Sequence, residues 1–557
     1  MSKKICPALF PITLLTLLIS AAFCSDKGSM PHLTLHKNSK KLFVDGQPFL
    51  MLAGELHNSS SSSLDYMQPV WDKLKSMNLN TVIAPVSWEL VEPKEDEFDF
   101  TVVDGLIRNA RKHNLKLVLL WFGSWKNTES SYVPSWVKRD QQRFPRVRTT
   151  DGMPREILTA FSKTNRNADA KAFSRFMRHL KNVDKQRTVI MVQIQNETGL
   201  LGEPRDHHPL AEKAFKNNVP DSLISYLKKN STTLHPAVRR AWITNGRRTD
   251  GTWSETFGDD AAEFFMAWHI ARYIDVIAEA GKKEYELPLF VNTWLRAHGQ
   301  KAGEYPSGGP VAKVHDVWRA AAPHLDLFAP DIYLPYFKEK CAEYARQKNP
   351  LFIPEAHRNK KSPGQAFYAF AEHDAIGYAP FGIDDIHHPE VLAPAYGFLQ
   401  KIMPVITQYQ GTGQMKGLLE EDENNEEFVL GNTEIHVKYD IYPKHSEPSF
   451  GFIINTGPDE YLIAGSGFEV TFHSLRESDG ITRILQVDEV FYENETWQSR
   501  RRLNGDETAA HQRIKIPSVI TTPAFRDPLS ESTTHPPIPL PPKDFVVQRM
   551  KVYRVKQ

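Results

Sequence analysis

The chain has 557 residues, of which 41% are hydrophobic and 24% charged, and its formal charge is +1. That length exceeds one ordinary core, and the composition is globular rather than disordered. The near-zero charge balance gives no pointer to nucleic acid or to an anionic membrane surface.

At the N-terminus, Lys3 and Lys4 precede the apolar run ALFPITLLTLLISAAF, which ends in small residues near Ala21, Ala22 and Cys24. This order of charged, apolar and small residues predicts a signal peptide over 1–24, removed to leave a secreted or periplasmic protein. The run is short for a membrane anchor and holds Pro11, while bulky Phe23 argues against lipid attachment at Cys24. No other segment is long and apolar enough to span a bilayer. Two of the three cysteines, Cys6 and Cys24, lie in this leader. Cys341 is then alone, which leaves no intrachain disulfide and no cysteine metal cluster.

The segment KKLFVDGQPF carries a hairpin signal, with Asp45-Gly46 between two apolar runs. Eight apolar strand candidates follow, at 48–55, 80–88, 115–123, 189–197, 287–294, 325–333, 350–355 and 375–384. Amphipathic stretches alternate with them, such as MQPVWDKLKSMN, VDGLIRNARKHN, AKAFSRFMRHLKNV and AAEFFMAWHIARYIDVIAEAG. Eight apolar strands alternating with helices predict a (β/α)8 TIM barrel over residues 31–404. An open doubly wound sheet would call for a glycine fingerprint after its first strand, and AGELHN offers none.

The pattern changes near residue 405. The acidic run EEDENNEE at 420–427 reads as a solvated loop. After it, EIHVKYDIY, FGFIIN, EYLIAGSGFEVTFHS and ITRILQVDEVFY show strand period, predicting a smaller all-β sandwich domain over 405–557. The proline-rich HPPIPLPP reads as a stiff connector before a last strand, FVVQRMKVYRV.

A (β/α)8 barrel gathers its chemistry at the C-terminal ends of its strands. The residues there are Glu55 and His57, then Trp88, then Trp121 and Trp125, then Asn196 and Glu197. They continue with Asn292 and Trp294, Asp331 and Tyr333, Glu355, and finally Asp384 with Asp385. No lysine or phosphate-binding glycine loop is expected among them. Carboxylates, amides and indoles suit a sugar, because glycoside hydrolysis needs an acid for the leaving oxygen and a second carboxylate for C1 or for water. Taken singly, Glu197 also reads as a carboxylate at a helix start, Glu355 as a loop acid, and each Trp as a packing residue. Finding Glu197 and Glu355 at the ends of strands four and seven weakens both of the bland readings together.

An Asn-Glu at the end of strand four and a Glu at the end of strand seven resemble the retaining glycosidases of clan A. FVDGQPFLMLAGELHNSSSSS, VSWELVEPKEDEFDFTVVDGLI, QIQNETG, APDIY, FIPEAHR and YAPFGID are similar to the family 35 β-galactosidases, in their bacterial branch with a short C-terminal β-domain. DEYLIAGSGFEVTF is similar to that branch's C-terminal domain. The resemblance implies Glu197 as general acid/base and Glu355 as nucleophile. It further implies Asn196 on the sugar 2-hydroxyl and Tyr333 donating to Glu355. Glu55, Trp88 and Trp294 would line the subsite of the bound galactosyl group, with Trp121 a further sugar contact. One departure stands out: a QVENE pattern would place Glu at position 195, and this chain has Gln195.

These expectations describe a retaining exo-β-galactosidase working by double displacement on β-galactoside oligosaccharides or polysaccharide side chains, with no metal or organic cofactor. The residues leave open a related enzyme acting on a β-glucoside or β-arabinoside. A carbohydrate-binding protein without catalysis would not account for two carboxylates.

Overall fold

Each of the eight apolar runs forms a strand of one parallel sheet, because each is buried on both faces. The computed structural model describes residues 29–422, 425–439, 448–503, 505–519 and 545–556. The predicted leader, with Cys6 and Cys24, and the HPPIPLPP segment lie outside the described residues.

Strands β1 (Met51–Glu55), β2 (Thr81–Ser87), β3 (Lys116–Phe122), β4 (Val189–Ile194), β5 (Leu289–Trp294) and β6 (Leu327–Ile332) pair in that order, all parallel. Strand β7 is broken at Pro354 into Phe352–Ile353 and Glu355–Ala356, since proline has no N–H to give a ladder. The second piece pairs with β6, and the first pairs with β8 (Gly377–Tyr378). Strand β8 pairs back to β1, which closes an eight-stranded barrel.

Alternation along the strands divides the apolar residues between two cores. Met51, Ile83, Val118, Leu120, Phe122, Met191, Phe290 and Leu327 fill the barrel interior. Leu52, Val82, Leu117, Leu119, Val192 and Val291 face the surrounding helices. Those helices include α1 (Val70–Ser76), α2 (Thr101–Lys112), α3 (Lys163–Val183) and α4 (Ala261–Glu284), which match the amphipathic stretches. The N-terminal hairpin, His32–His36 with Ser39–Val44, adds Leu42 and Val44 to the interior core. The next turn joins Ser39–Val44 to Gln47–Pro48 and has Asp45 and Gly46 both at positive φ, the two-residue geometry that the Asp-Gly pair predicts.

After α5 (Ser362–Glu372) and α6 (Ala393–Tyr409), two antiparallel sheets follow. One runs in the order Met415–Leu419, Phe450–Gly457, Glu460–Ser466, Val547–Val555, Ile481–Glu493, Thr496–Arg502. The other runs Asn425–Leu430, Thr433–Lys438, Phe468–Ser474, Arg513–Ile516. Ile435, Val437 and Val470 of one sheet share a core with Ile453, Ile463 and Met550 of the other. The acidic run is not the free loop expected from its charge. Glu426 lies within a strand and takes Lys338 of the barrel at 2.7 Å, and Glu420 accepts from Ser449. Charge density alone misleads there because the partners come from distant parts of the chain.

The two units are joined by an aromatic cluster. Phe367 of α5 stacks on Phe398 of α6 and meets Phe450, Phe452 and Phe545 of the β-domain, with centroids 5.1–5.9 Å apart. Gly417 lets the first sheet approach α5 closely, since a Cβ there would stand 2.8 Å from the backbone nitrogen of Glu372. Phe367→Ala is expected to lower unfolding free energy by about 3–5 kcal/mol in a denaturant titration. A loss below about 1 kcal/mol would mean that the cluster does not hold the two units together.

Candidate active site

Inward-facing positions at the tips of β1, β4, β5, β6 and β7 bring Glu55, Asn196, Glu197, Asn292, Asp331 and Glu355 together at one end of the barrel, all buried. Carboxylate oxygens of Glu197, Asp331 and Glu355 lie within 4.8 Å of one another.

Glu355 is aimed by three donors. Asn196 Nδ2 and Asn292 Nδ2 each stand 3.3 Å from its Oε1, and the Tyr333 hydroxyl donates to its Oε2 at 2.9 Å. Burial and the Glu355 charge push the Tyr333 phenol far up, so it serves as a neutral O–H donor.

Glu197 lies where its charged form is disfavoured. Burial first and the Glu355 charge second raise its pKa to about 8, against a smaller opposing pull from Lys126. Asp331 is also driven up by burial and then by Glu355, Glu197 and Glu55. The hydrogen bond between Asp331 and Glu197 joins two carboxyls, so one of them must hold a proton. Asp331 Oδ2 accepts from Asn292 Nδ2 at 2.8 Å, and Asn292 Oδ1 accepts from the Glu197 backbone N–H at 2.9 Å. One amide therefore ties three strands' acids into a single cluster.

The backbone carrying Asn196 and Glu197 is strained. Gln195 has φ 64° and Glu197 φ 47°, left-handed values that non-glycine residues seldom adopt. Neighbouring strands hold this kink. The Gln195 N–H donates to the Trp121 carbonyl and the Asn196 N–H to the Trp125 carbonyl. The Gln195 side chain accepts from the Trp125 N–H at 2.9 Å and donates to buried Asp169 at 2.7 Å. That second bond accounts for Gln195 where a glutamate was expected. Asp169 also accepts from Trp121 Nε1 and from both the N–H and hydroxyl of Ser124. A glutamate at 195 would set a second buried carboxylate against it.

Glu55 has no such support. It is fully buried, and neither of its oxygens has a hydrogen-bond partner within the protein. Burial and then the Glu355 charge hold its pKa well above the ordinary value of 4.5. A buried carboxyl with open lone pairs, beside the other acids, is a natural acceptor for ligand hydroxyls.

Trp294 stands on the barrel rim, 41% exposed, beside Asp331 in register, so its indole is free to meet a ligand. Trp88 and Trp121 are different, and the expectation that they line a sugar site is corrected. Both are wholly buried in the shell between strands and helices. The Trp88 N–H bonds Glu92 and its ring meets Trp136 edge-on. Trp121 bonds Asp169 and packs on Phe173 and Phe176. Both have outward parity, whereas Phe122, the neighbour of Trp121, faces in. The expectation of no lysine is also corrected. Lys126, from the loop after β3, reaches the cluster and donates to Asn196 Oδ1 at 3.0 Å. Asn292 and Asp331 were visible at the strand tips, but their central place depends on a side-chain network that spacing does not reveal.

Glu197, Asp331 and Glu355 are close enough to share a cation. Glu355, however, already accepts three N–H or O–H donors, which leaves little of its ligand capacity for a metal. A second group, Glu427, Glu434 and His436, lies partly exposed on the β-domain. Cys341 is a buried free thiol away from this chemistry.

A family model described as glycosyl hydrolases family 35 matches residues 41–274, and one described as a domain of unknown function, DUF5597, matches 392–515. A β-galactosidase of Xanthomonas manihotis is 28% identical over 211 residues, covering 37% of this chain and 32% of that protein. The β-galactosidase-1-like protein 3 of Homo sapiens is 27% identical over 192 residues, covering 33% of this chain and 26% of that protein. The matches thus span about a third or less of either relative's own length. Among solved structures, a catalytic mutant of a GH42 β-galactosidase from G. stearothermophilus shares 14% identity over 64% of this chain and 57% of that chain, with a TM-score of 0.45. A β-galactosidase from Bacillus circulans sp. alkalophilus shares 16% over 64% and 57%, with a TM-score of 0.44.

The raised pKa of Glu55 makes a stability prediction. The folded chain keeps that proton after the unfolded chain has released it, so stability is lost as pH climbs above 4.5 toward the folded value. Glu55→Gln removes this slope. Its Tm advantage over the wild type is expected to grow between about pH 4 and about pH 9, and parallel Tm curves would contradict the buried, unpaired state of Glu55.

Proposed function

We infer, from the match of residues 41–274 to a family model described as glycosyl hydrolases family 35, that the protein is a retaining exo-β-galactosidase releasing terminal β-galactosyl groups. One observation carries the reading: Glu197 and Glu355 have oxygens within 4.8 Å of each other, and burial with the nearby Glu355 charge raises the pKa of Glu197. Retaining glycosidases hold their two carboxyls about 5–5.5 Å apart, while inverting ones leave roughly 6.5–9.5 Å for a water. The spacing here supports the retaining reading.

In this mechanism Glu355, aimed by Asn196, Asn292 and Tyr333, attacks the anomeric carbon as its bond to the leaving oxygen breaks. Glu197 gives its proton to that oxygen. The ester that forms at Glu355 removes the negative charge that had raised Glu197's pKa. Glu197 then becomes a competent base and takes a proton from the water that hydrolyses the ester. Asn196 Nδ2, on the edge of Glu355, donates to the sugar 2-hydroxyl in this reading. Glu55 accepts from other ring hydroxyls, and Trp294 supplies an apolar face at the rim. Galactose is favoured over glucose or arabinose by the names of the two curated relatives. The substrates are β-galactoside oligosaccharides or polysaccharide side chains. The leader-like N-terminus supports a secreted or periplasmic location.

A panel of aryl β- and α-glycosides tests this reading, with the wild type beside Glu355→Gly in azide. Cleavage of the β-galactoside alone, lost in the variant and rescued as α-galactosyl azide, is expected. Turnover of a different β-glycoside would keep the mechanism and change the sugar, whereas binding without turnover of any member would overturn the enzymatic reading. The kcat/KM profile gives a second check. Glu197 must enter the reaction protonated, so activity should fall as pH rises through about 8. An alkaline limb near the ordinary glutamate value of 4.5 would rule Glu197 out as the acid.

A further inference from the structure

Lys126 is a buried cation inside a cluster of acids, and nothing in the two-carboxylate mechanism calls for it. Its position is built rather than incidental. Lys126 and Glu129 exchange backbone hydrogen bonds at 2.8 and 3.0 Å, closing a tight turn. The two residues between them, Asn127 and Thr128, both have positive φ, at 49° and 64°. The turn fixes the lysine stem beside the Phe122 ring, with Nζ 5.1 Å from the ring centroid. From there Nζ donates to Asn127 Oδ1 and, at 3.0 Å, to Asn196 Oδ1.

This last contact decides which way the Asn196 amide faces. An amide has a donor end and an acceptor end of nearly equal size, and its neighbours choose between the two orientations. Lys126 can only donate, so it claims Oδ1 and turns Nδ2 toward Glu355 Oε1, 3.3 Å away. Reversed, the amide would set Oδ1 against the Glu355 carboxylate. We propose that Lys126 is a positioning residue that locks Asn196 with its N–H groups toward the nucleophile and the sugar 2-hydroxyl, and that sets the charge balance around the acid/base. The proposal rests on the glycosidase reading above. The ionisable groups facing Glu197 are Glu355, Asp331, Glu55 and Lys126; the Asp331 hydrogen bond and the Lys126 charge favour its ionised form, and the lysine is the cation among them. Removing this cation therefore makes Glu197 hold its proton to higher pH.

The test compares the wild type with Lys126→Met and Lys126→Arg on aryl β-galactoside and on its 2-deoxy analogue, across pH, with Tm recorded for each protein. Lys126→Met should lose about 100-fold in kcat/KM, mostly in kcat, as expected for a misplaced reacting group. Its alkaline limb should move to higher pH. Because Lys126 acts through Asn196, the penalty for losing the 2-hydroxyl should shrink in the variant. Lys126→Arg, which keeps the charge and donors, should recover part of the loss. Should Lys126→Met fail to fold, Lys126→Gln carries the same comparison.

An unchanged alkaline limb together with an undiminished 2-deoxy penalty would overturn the positioning role. A loss confined to KM would also overturn it, and would make Lys126 a plain sugar contact. If the wild type hydrolyses no aryl glycoside, the glycosidase reading fails and this inference goes with it.

Discussion

Four buried carboxyls are crowded into one end of the barrel, and most of the site's features follow from that constraint. Glu197, Asp331 and Glu355 cannot all ionise within 4.8 Å of one another while buried. Donors decide where the charge goes. Asn196, Asn292 and Tyr333 all point at Glu355, so the negative charge is best placed there. The cost falls on the others, whose pKa values rise. The elevation of Glu197 is thus a consequence of geometry, and the part of it that comes from Glu355 lasts only while Glu355 is charged.

The scaffold makes such crowding tolerable. Rigid strands buried on both faces hold the tips in register, and the left-handed kink at Gln195–Glu197 is pinned from three sides. Asp169 and Gln195 form the buried support behind that kink. Strain at residues bearing reactive groups persists only where surrounding contacts over-determine it, and here they do. Outside the barrel, the β-domain rests on α5 through Phe367 and its aromatic partners, with Lys338–Glu426 and Lys416–Glu372 ion pairs beside them. Its solvent-exposed ion pairs contribute little by comparison with that apolar contact.

Much of this was legible in the sequence because double burial writes a strand as an unbroken apolar run. Strands β1 to β6 could be read that way, and so could the polar residues that end them. Strands β7 and β8 were legible only in outline. The first is split by Pro354, and the second has two paired residues, so flanking context decides where pairing stops. Trp88 and Trp121 were misplaced because nearness to a tip was weighed and side-chain parity was not. Counting in twos from Ile83 and Val118 would have turned both indoles outward. Lys126 was out of reach for a different reason. It lies beyond the end of its strand, and only the turn at Asn127 and Thr128 brings its ammonium back over Asn196. Gln195 looked like a departure from pattern until Asp169, 26 positions away in the chain, was found against it.

The central claim is that Glu355 forms a covalent bond to the sugar while Glu197 shuttles the proton. Trapping with an activated 2-deoxy-2-fluoro-β-galactoside, followed by peptide mass spectrometry, examines that claim most directly. The substituent slows both steps, and the good leaving group lets the first outrun the second. The expected result is stoichiometric inactivation with the sugar on Glu355 alone. A label on Glu197, Asp331 or Glu55, or continued turnover with no covalent species, would contradict the account.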